Sequence, residues 1–369
     1  MGHLALYRQF RPKTFDEVIA QDTIVNTLKN QVTTGEIGHA YLFTGSRGTG
    51  KTTCAKIFAK AINCSNPKNG SPCGECENCK ANEGLSMDIV EIDAASNNSV
   101  EDIRDIVNNL KFLPTSGKYK VYIIDEVHML SINAFNALLK SIEEPPEYVV
   151  FILATTEVYK IPKTILSRVV RFDFKLVSVD DLCKLLRKVF DVSGIKADGE
   201  AIMAIARSGE GSVRDTLSIA EGVSAYAYKD ITYLDVQNAL GLSDLDTLIR
   251  LTEYINQGNL GELFKLTSEL YNSGKNMAVL AKDMTVHFRN LLVIKSTTEA
   301  NIILHLPKDD FDRLLAQAET MDCGRLLFYL KKFTDIEADL RYSISPRMLV
   351  EMTALDCVRE TNDKLKVLP

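Results

Sequence analysis

Two groups of chemically capable residues stand close together in the first quarter of the chain. Residues 45–52 read Gly-Ser-Arg-Gly-Thr-Gly-Lys-Thr, which matches the G-x-x-x-x-G-K-[ST] pattern of a loop that binds nucleotide phosphates. Four cysteines follow between positions 64 and 79, at spacings that are typical of a bound metal ion. This rare combination predicts a nucleotide site next to a metal site.

The phosphate loop has the surroundings that its chemistry requires. The apolar run Tyr41-Leu42-Phe43 precedes it and a helix-like stretch follows, so a strand would deliver the loop to a helix N-terminus. Glycines let backbone N–H groups wrap around phosphates, Lys51 would reach the β- and γ-phosphates, and the Thr52 hydroxyl would bind Mg²⁺. By itself the pattern also occurs by chance. The residues predicted to contact ATP are Gly45, Ser46, Arg47, Gly48, Thr49, Gly50, Lys51, Thr52 and Thr53.

A second, acidic element strengthens the prediction of a nucleotide site. Residues 121–126 read Val-Tyr-Ile-Ile-Asp-Glu, an apolar strand that ends in two carboxylates. Asp125 would hold the Mg²⁺ shell, and Glu126 would orient or deprotonate the attacking water. The alternative is a solvated loop after a strand, which the phosphate loop upstream disfavours. His128 follows directly, and we assign it no catalytic role.

Two further polar residues lie near predicted strand ends, where a phosphoryl-transfer site could use them. Thr156 ends the strand that follows Asp125, so its hydroxyl would sense the γ-phosphate or hold the water. Arg168 lies beside the last predicted strand. There it would complete a neighbouring subunit's site as an arginine finger, an effect of roughly a thousandfold in rate. For Arg168 alone, a plain solvated charge is the competing interpretation.

The cysteines predict a closed metal site. Cys73, Cys76 and Cys79 repeat at three-residue spacing, and Cys64 supplies a fourth sulfur. Four thiolates leave no open coordination position, so a zinc ion here would be structural, and its binding would contribute on the order of 10 kcal/mol to ordering the segment. Disulfides and an iron–sulfur cluster remain alternatives, because spacing alone does not exclude either.

Short apolar runs and helical stretches alternate in the first half of the chain, which predicts a parallel sheet covered by helices. The runs are nearly continuous rather than alternating, as in strands that are buried on both faces. The predicted strands are 41–43, 89–92, 121–124, 149–154 and 169–174.

After Phe174 the strand signal stops. We predict three helices from Ser178 to about Leu240, the first with a Ser-x-x-Asp cap and an end near Gly194. A helical pattern then continues from position 244 to about 358, with turn signals at Gly258, Gly274, Pro307 and Pro346. The predicted domains are 1–175 (α/β, with a cysteine module at about 64–82), 176–241 (small, helical) and 242–369 (larger, helical).

Composition sets limits on the class of protein. The chain has 369 residues, 46% of them hydrophobic and 25% charged, and a net charge of −6. This charge argues against a histone-like, wrapped mode of DNA binding, although a local basic face stays open. No apolar run approaches the length of a membrane span, no signal peptide is recognisable, and the scattered cysteines suit a reducing cytoplasm. We therefore predict a cytoplasmic protein.

Several stretches resemble the gamma/tau family of bacterial DNA polymerase III subunits. The four cysteines also match the zinc module of that family in position and spacing. Eukaryotic clamp loaders share the ATP motifs and the Glu-Glu-Pro-Pro run, but not the zinc insertion. The resemblance is strong over about residues 4–240 and weaker beyond. The matching stretches are 6–18 (Leu-Tyr-Arg-Gln-Phe-Arg-Pro-Lys-Thr-Phe-Asp-Glu-Val), 45–52, 91–96, 124–130, 136–146 (Asn-Ala-Leu-Leu-Lys-Ser-Ile-Glu-Glu-Pro-Pro), 154–156 and 167–168.

The resemblance implies an AAA+ ATPase with a P-loop domain, a helical lid and an all-α collar for oligomerisation. It implies ATP or ADP, Mg²⁺ and Zn²⁺ as cofactors, and it makes Arg168 a finger that acts on the adjacent subunit. In the family, the second sensor corresponds to Arg214 of this chain, and the N-terminal segment closes over the adenine. The implied catalytic residues are Lys51, Asp125, Glu126, Thr156, Arg168 and Arg214, and the implied adenine contacts are Arg8, Arg11, Pro12 and Val18.

Two departures from the family pattern are visible. Val169 stands where the family usually has cysteine, a change that keeps the neighbouring Arg168. Residues 97–99 read Asn-Asn-Ser where basic residues would contact DNA phosphate in relatives. Asparagine and a helix N-terminus can still donate to phosphate, but we expect a weaker and less salt-dependent contact.

The resemblance implies the motor subunit of a clamp loader, which opens a sliding clamp and loads it on primed DNA within the polymerase III holoenzyme. The implied partners are the delta and delta prime subunits, further gamma/tau copies, the sliding clamp, primer–template DNA and the polymerase core, with no membrane, in the nucleoid-associated cytoplasm. The family is classed with DNA-directed DNA polymerases, a nucleotidyltransferase class, but we see no polymerase active-site pattern.

Two alternatives stay open. One is a replisome scaffold, a role that belongs in the family to a C-terminal extension, so the end at Pro369 weakens it. The other is a different AAA+ machine, such as a branch-migration motor or a protein unfoldase. Those would share the ATP motifs without the cysteine insertion.

Overall fold

The computed structural model describes residues 5–82, 87–227, 230–304, 306–340 and 342–361. The chain divides into two compact units, Met1–Thr232 and Tyr233–Pro369. The division into three domains, with boundaries at 175/176 and 241/242, stays a prediction. Among the described residues, no helix combines the length and the apolar character that crossing a bilayer demands.

The first unit is built on a five-stranded parallel sheet in the order β2-β3-β4-β1-β5. Each predicted strand is present, within a residue or two of its predicted ends. Parallel neighbours need crossover connections, and helices supply them here, so the carboxyl ends of all five strands meet at one edge. The strands are β1 (Ala40–Thr44), β2 (Ile89–Asp93), β3 (Lys120–Asp125), β4 (Val149–Thr155) and β5 (Val170–Asp173).

Helices cover both faces of this sheet. Local signals define several of their starts: Ser99 begins one helix with a capping box to Asp102, and the Ser131 side chain accepts the Ala134 N–H of another. The helices are α1 (Leu6–Gln9), α2 (Asp22–Thr34), α3 (Lys51–Ile62), α4 (Glu77–Ala81), α5 (Val100–Asn109), α6 (Ile132–Glu143) and α7 (Lys163–Leu166).

Strand β1 contributes side chains to two hydrophobic cores, one on each face of the sheet. Tyr41 and Phe43 pack on the α3 side, whereas Leu42 packs with α5 and α6 on the opposite side. Strands β1 and β4 are buried along their whole length and β3 nearly so. The prediction of burial on both faces was wrong for β2 and β5, which expose residues such as Glu91 and Arg171. Each is an edge strand with a neighbour on one side only.

The helical region after β5 begins as predicted. Helix α8 (Val179–Ser193) starts after Ser178, whose hydroxyl accepts the Asp181 N–H, and ends at Gly194 with φ 66°, the left-handed conformation that glycine adopts without strain. Two corrections follow. Four helices, not three, lie among the described residues between 179 and 240. Two short parallel strands also pair there, and they were missed because two-residue strands leave no apolar run to detect. The elements are β6 (Lys196–Ala197), α9 (Gly199–Ser208), α10 (Val213–Ala227), β7 (Asp230–Ile231) and α11 (Tyr233–Leu240).

The rest of the second unit is helical in the described residues, as the sequence predicts. Gly258 ends one helix in the left-handed conformation, and Pro307 and Pro346 lie at helix starts. Phe288 packs against Tyr329 and Phe333, each at a ring-centroid distance of 5.4 Å, in the middle of the core. The helices are α12 (Leu245–Gln257), α13 (Leu260–Asn272), α14 (Met277–Ser296), α15 (Ala300–Leu304), α16 (Lys308–Glu319), α17 (Cys323–Asp335), α18 (Glu337–Leu340) and α19 (Pro346–Thr361).

Candidate nucleotide and metal sites

The phosphate loop lies between the end of β1 at Thr44 and the start of α3 at Lys51. Two glycines are required by close approach as well as by backbone angle. At Gly45 (φ 144°) a Cβ would lie 2.4 Å from the Phe174 carbonyl oxygen, and at Gly48 (φ 75°) it would lie 1.9 Å from the Ser212 hydroxyl. Any side chain at these positions would force the loop away from its neighbours.

Lys51 is the first residue of α3, and it is buried although it carries an ammonium group. Its Nζ donates to the carbonyl oxygens of Gly45 at 2.8 Å and Ser46 at 2.9 Å. Burial lowers the pKa of Lys51, while the nearby carboxylates of Glu126 and Asp125 oppose that shift. The loop therefore surrounds a partly desolvated cation, whose attraction for phosphate oxygens is stronger than it would be in water.

Oxygen ligands for a hard cation converge beside Lys51. The Thr52 hydroxyl donates to Asp125 Oδ2 at 2.6 Å, and Asp125 Oδ1 accepts the Glu126 N–H at 2.9 Å. Helix α3 positions the hydroxyl and strand β3 positions the carboxylate. A hydroxyl and a carboxylate at this edge are a donor set that Mg²⁺ accepts, so the residues present fit that ion.

Glu126 is held in an unusual conformation. Its backbone is left-handed, with φ 46° and ψ 43°, a region that costs energy for a residue other than glycine and is enriched at functional sites. Thr156 Oγ1 donates to Glu126 Oε2 at 3.1 Å, and His128 Nδ1 lies 3.5 Å from the same oxygen. The contact with His128 was not predicted from the sequence, although its place two residues after Glu126 was the available signal.

A cavity of about 590 Å³ opens at this edge of the sheet. It is lined by the N-terminal segment, the phosphate loop, the end of β3 and the start of α10. Gly45 and Ser46 act instead through the carbonyls that hold Lys51. The predicted residues in the lining are Arg8, Arg11, Pro12, Val18, 47–53, Asp125, Glu126 and Arg214, and those that sequence reasoning missed are Tyr7, Phe10, Ile19, Val213 and Leu217.

Arg214 reaches the cavity from the helical region that follows β5. Its guanidinium lies 5.1 Å from the centroid of the Tyr7 ring, a cation–π distance. The neighbouring Val213 N–H donates to the Gly48 carbonyl at 3.0 Å. Helix α10 therefore begins directly on the phosphate loop, which places Arg214 beside the cavity.

Arg168 does not line this cavity. Its Nε lies 2.6 Å from Glu143 Oε1, and one of its terminal nitrogens donates to the Thr164 carbonyl at 2.7 Å. The side chain is partly exposed on the surface after α7. The structure thus brings Lys51, Asp125, Glu126, Thr156 and Arg214 to one edge of the sheet and leaves Arg168 elsewhere on the same chain.

The segment around residues 97–99 is already engaged within the chain. The Ser99 hydroxyl accepts the Asp102 N–H at 3.1 Å, and the Asp102 carboxylate accepts the Ser99 N–H at 3.1 Å. Acidic side chains at positions 101 and 102 fill the first turn of α5, where they oppose an incoming phosphate. The DNA contact suggested for this helix start stays a prediction.

The four predicted cysteine ligands converge. Their Sγ atoms all lie within 4.8 Å of one another, and the pairs Cys64–Cys76 and Cys73–Cys79 are each 3.9 Å apart. A tetrahedral zinc ion with Zn–S bonds of about 2.3 Å spaces its sulfurs by roughly 3.8 Å. All four cysteines are free thiols here, so the residues present fit a closed four-thiolate metal site.

Backbone groups support this cysteine site. The Cys73 N–H points at Cys64 Sγ at 3.3 Å, and the Cys79 N–H at Cys76 Sγ at 3.4 Å. Burial opposes ionisation of Cys76, but hydrogen bonds from backbone N–H groups and from neighbouring thiols lower its pKa to about 6. A thiolate is the form that binds a metal.

The two sites lie at opposite ends of one helix. Helix α3 begins at Lys51 of the phosphate loop, and Cys64 follows two residues after its end at Ile62. Between them, the Asn63 side chain donates to the Tyr119 carbonyl at 2.8 Å and accepts the Tyr119 N–H at 2.7 Å. Asn63 thereby fixes the end of α3 to the residue that precedes β3.

Three family models match successive parts of the chain. Residues 20–178 match the model described as DNA polymerase III, delta subunit. Residues 182–227 match the ATPase lid domain of the DNA polymerase III clamp loader subunit. Residues 231–365 match domain III of DNA polymerase III subunits gamma and tau. Together with the parallel sheet and the phosphate loop, these matches confirm the predicted AAA+ class of fold, with its helical lid and all-α region; they do not test for zinc.

Curated relatives resemble the chain along most of its length. It is 39% identical to the Bacillus subtilis DNA polymerase III subunit tau, covering 100% of this chain and 66% of that protein. It is 37% identical to the Escherichia coli subunit tau, covering 96% and 55%, and 38% identical to the Buchnera aphidicola subunit gamma, covering 79% and 76%. The chain thus spans between about half and two thirds of the tau relatives.

Solved structures give weaker likenesses. Thermotoga maritima RuvB, a Holliday junction branch migration motor, aligns with a TM-score of 0.49 and 21% identity over 69% of this chain and 84% of that one. The Bacillus subtilis DNA clamp loader delta protein aligns with a TM-score of 0.37 and 12% identity over 90% and 99%. Neither likeness bears on activity.

Proposed function

Because the chain belongs to the gamma/tau family of DNA polymerase III subunits, we propose that it is the ATP-hydrolysing motor subunit of a bacterial clamp loader. It would assemble with further copies of itself and with delta and delta prime subunits. The assembly would open a sliding clamp and load it on primer–template DNA for the polymerase core. ATP drives such a cycle because the ATP state binds clamp and DNA more tightly than the ADP state.

One observation carries this proposal: a single cavity collects the groups that phosphoryl transfer needs. Lys51 presents a desolvated ammonium, Thr52 and Asp125 present paired oxygens 2.6 Å apart, and Glu126 presents a carboxylate at the same edge. Phosphoryl transfer depends on positioning and on charge stabilisation, and these residues supply both.

The proposed roles follow from the contacts. A bound Mg²⁺ would supply positive charge that polarises the transferred phosphoryl group. Thr52 and Asp125 would hold that ion, and Lys51 would neutralise phosphate charge. The Glu126 carboxylate would accept a proton from the attacking water, while Thr156 keeps one of its oxygens in place. Arg214, stacked on Tyr7, would report closure of the lid over the nucleotide.

Arg168 would act on the site of a neighbouring copy. It lies outside its own cavity, and its contact with Glu143 lies on a partly exposed surface, which supports a role at a subunit boundary. An arginine finger supplied in this way stabilises charge in the transition state. The cavity of one chain would then be complete in structure but incomplete in catalysis.

The four cysteines would hold a structural zinc ion. The sulfur separations fit a tetrahedral site, and a set of four protein thiolates leaves no position for water or substrate. The ion would therefore contribute to folding and not to hydrolysis.

Steady-state ATPase measurements test the proposed function. The rate should be low for the chain alone and should rise sharply only when delta, delta prime, the sliding clamp and primed DNA are all present. Lys51→Ala should abolish the rate, and Lys60→Ala on the same helix should preserve it. A rate that ignores clamp and primer but responds to branched DNA or unfolded protein would reject the clamp-loader function in favour of another AAA+ machine.

A further inference from the structure

One contact joins the cysteine segment to the segment that lines the nucleotide cavity. The Phe15 backbone N–H donates to the Ser71 hydroxyl at 3.1 Å. Both residues are almost completely buried, with 1% of Phe15 and 2% of Ser71 exposed. Water is therefore excluded from this hydrogen bond, and nothing in solvent replaces Ser71 if the hydroxyl is lost.

The cysteine segment offers Ser71 from a rigid turn. Lys68 and Ser71 exchange both backbone hydrogen bonds at 2.9 Å, and the two central residues, Asn69 (φ 49°) and Gly70 (φ 72°), are left-handed. This is the type I′ geometry that an Asn-Gly pair favours. A tight turn of this kind has little freedom to follow a moving partner.

The turn is also wedged against the body of the domain. A Cβ on Gly70 would lie 2.7 Å from the Lys29 Cα of helix α2, so the two backbones are in close contact. The Lys29 side chain in turn pairs with Asp16, next to Phe15. Helix α2, the turn and the Phe15 backbone thus form one packed group.

Phe15 lies three residues from two lining residues of the cavity. Pro12 precedes it and Val18 follows it, and both line the cavity together with Ile19. On the other side, Cys64 and Cys73 bracket the turn of residues 68–71. A metal ion bound to both sulfurs would hold the chain on each side of the turn and would thereby fix the position of Ser71.

We infer that the four-cysteine segment positions the apolar wall of the nucleotide cavity formed by Pro12, Val18 and Ile19, which suits a base better than phosphate, and that Ser71 is the positioning residue which transmits this effect. The inference rests on the proposed nucleotide site. Binding of the phosphates would then depend on loop 45–52. Binding of the base would depend on residues 12–19 and therefore on the cysteine segment.

The test compares two probes, ADP and pyrophosphate, on the full chain. Ser71→Ala should weaken ADP binding by about three- to tenfold, because the buried Phe15 N–H loses its partner, and it should leave pyrophosphate competition and zinc content unchanged. Ser65→Ala, which removes an exposed hydroxyl from the same segment, should change neither affinity. Unchanged ADP affinity in Ser71→Ala would overturn the inference, as would an equal loss for pyrophosphate.

Metal removal gives a second measurement that does not depend on the folding of a variant. Stripping zinc from the unmutated chain with a chelator should weaken ADP binding more than pyrophosphate binding, and Zn²⁺ should restore it. Equal affinities before and after removal would overturn the inference while leaving the nucleotide site intact. If the unmutated chain binds neither probe, the proposed nucleotide site fails and the inference fails with it.

Discussion

Two candidate binding sites lie at opposite ends of helix α3, and different interactions stabilise them. At its start, the phosphate loop rests on buried strands, and Lys51 and Thr52 already make hydrogen bonds to protein groups. At its end, the cysteine segment has little apolar support: among residues 64–82, Cys79 is the only member of the buried hydrophobic core. The difference indicates that a sheet preforms the candidate nucleotide site, whereas a bound ion would be needed to complete the proposed metal site.

Breaking the cysteine site should give the largest change in free energy. Cys76→Ser would remove a ligand from the proposed zinc ion, whose binding would contribute on the order of 10 kcal/mol, so we expect loss of stoichiometric zinc and rapid proteolysis within residues 64–82. The parallel sheet should survive, because its cores do not include this segment. Metal analysis and limited proteolysis measure both effects, with the exposed Cys323→Ser as control. Retained zinc in Cys76→Ser would contradict the four-thiolate site.

Replacing Lys51 at the start of α3 should have the opposite effect, with a large loss of ATP hydrolysis and no loss of stability. Lys51→Met should reduce ATP hydrolysis by more than about a thousandfold, because charge stabilisation dominates phosphoryl transfer. Thermal stability should be kept or raised, since the variant no longer buries a desolvated ammonium. Calorimetry together with an ATPase assay separates the two outcomes. A large loss of stability would mean that the loop is not preformed by the sheet.

Arg168 tests whether the phosphate end of α3 is complete within one chain. Arg168→Ala should lower hydrolysis in the reconstituted assembly by about a thousandfold and leave nucleotide binding unchanged, because the side chain lies outside its own cavity. The exposed Lys163→Ala provides the matched control. Normal turnover by Arg168→Ala would reject the finger and make the site self-sufficient.

A smaller effect should come from the support at the cysteine end. Asp88 accepts the backbone N–H groups of Thr115, Ser116 and Gly117 at 2.6 to 2.8 Å, just before Tyr119, the partner of Asn63. Asp88→Asn replaces an acceptor by an amide that cannot satisfy all three donors, so the free energy of unfolding should fall by about 1–3 kcal/mol. Urea unfolding measures this, with the exposed Asp105→Asn as control.

The same residue gives a pH dependence with a definite sign. Burial opposes ionisation, but the three N–H donors outweigh it and lower the pKa of Asp88 below 3.8. Its contribution to stability is therefore complete above pH 3.8 and declines as pH falls through the lower folded-state value. Unfolding curves of the parent chain and of Asp88→Asn should converge in acid. Curves that stay equally far apart at pH 2 and pH 7 would contradict this role.

Features with a local signal were predictable from the sequence. The loop at 45–52, the strand that ends in Asp125, and the caps at Ser178 and Gly194 are each defined by a few adjacent residues. Most of the fold could be predicted from such signals, because a few adjacent residues determine each strand, turn and cap. The convergence of the four cysteines was also predictable, since their spacing limits how far apart they can lie.

Features that depend on distant partners were not predictable in this way. Tyr7 lines the cavity beside Arg214, which comes from a distant part of the chain. The exposure of β2 and β5 depends on their places at the sheet edges, which the apolar runs do not encode. The pair formed by Ser71 and Phe15 likewise needs the packed structure, because the two residues lie 56 positions apart and no sequence pattern links them.

The hydrogen bond from the Val213 N–H to the Gly48 carbonyl attaches the start of α10 to the phosphate loop, so a change in the loop would tilt this helix. The helix has 15 residues and is therefore about 22 Å long, so a tilt of about 5° at the loop swings its far end by roughly 2 Å. At Ala227, the far end of α10, such a displacement would be large enough to make or break a contact between two protein surfaces.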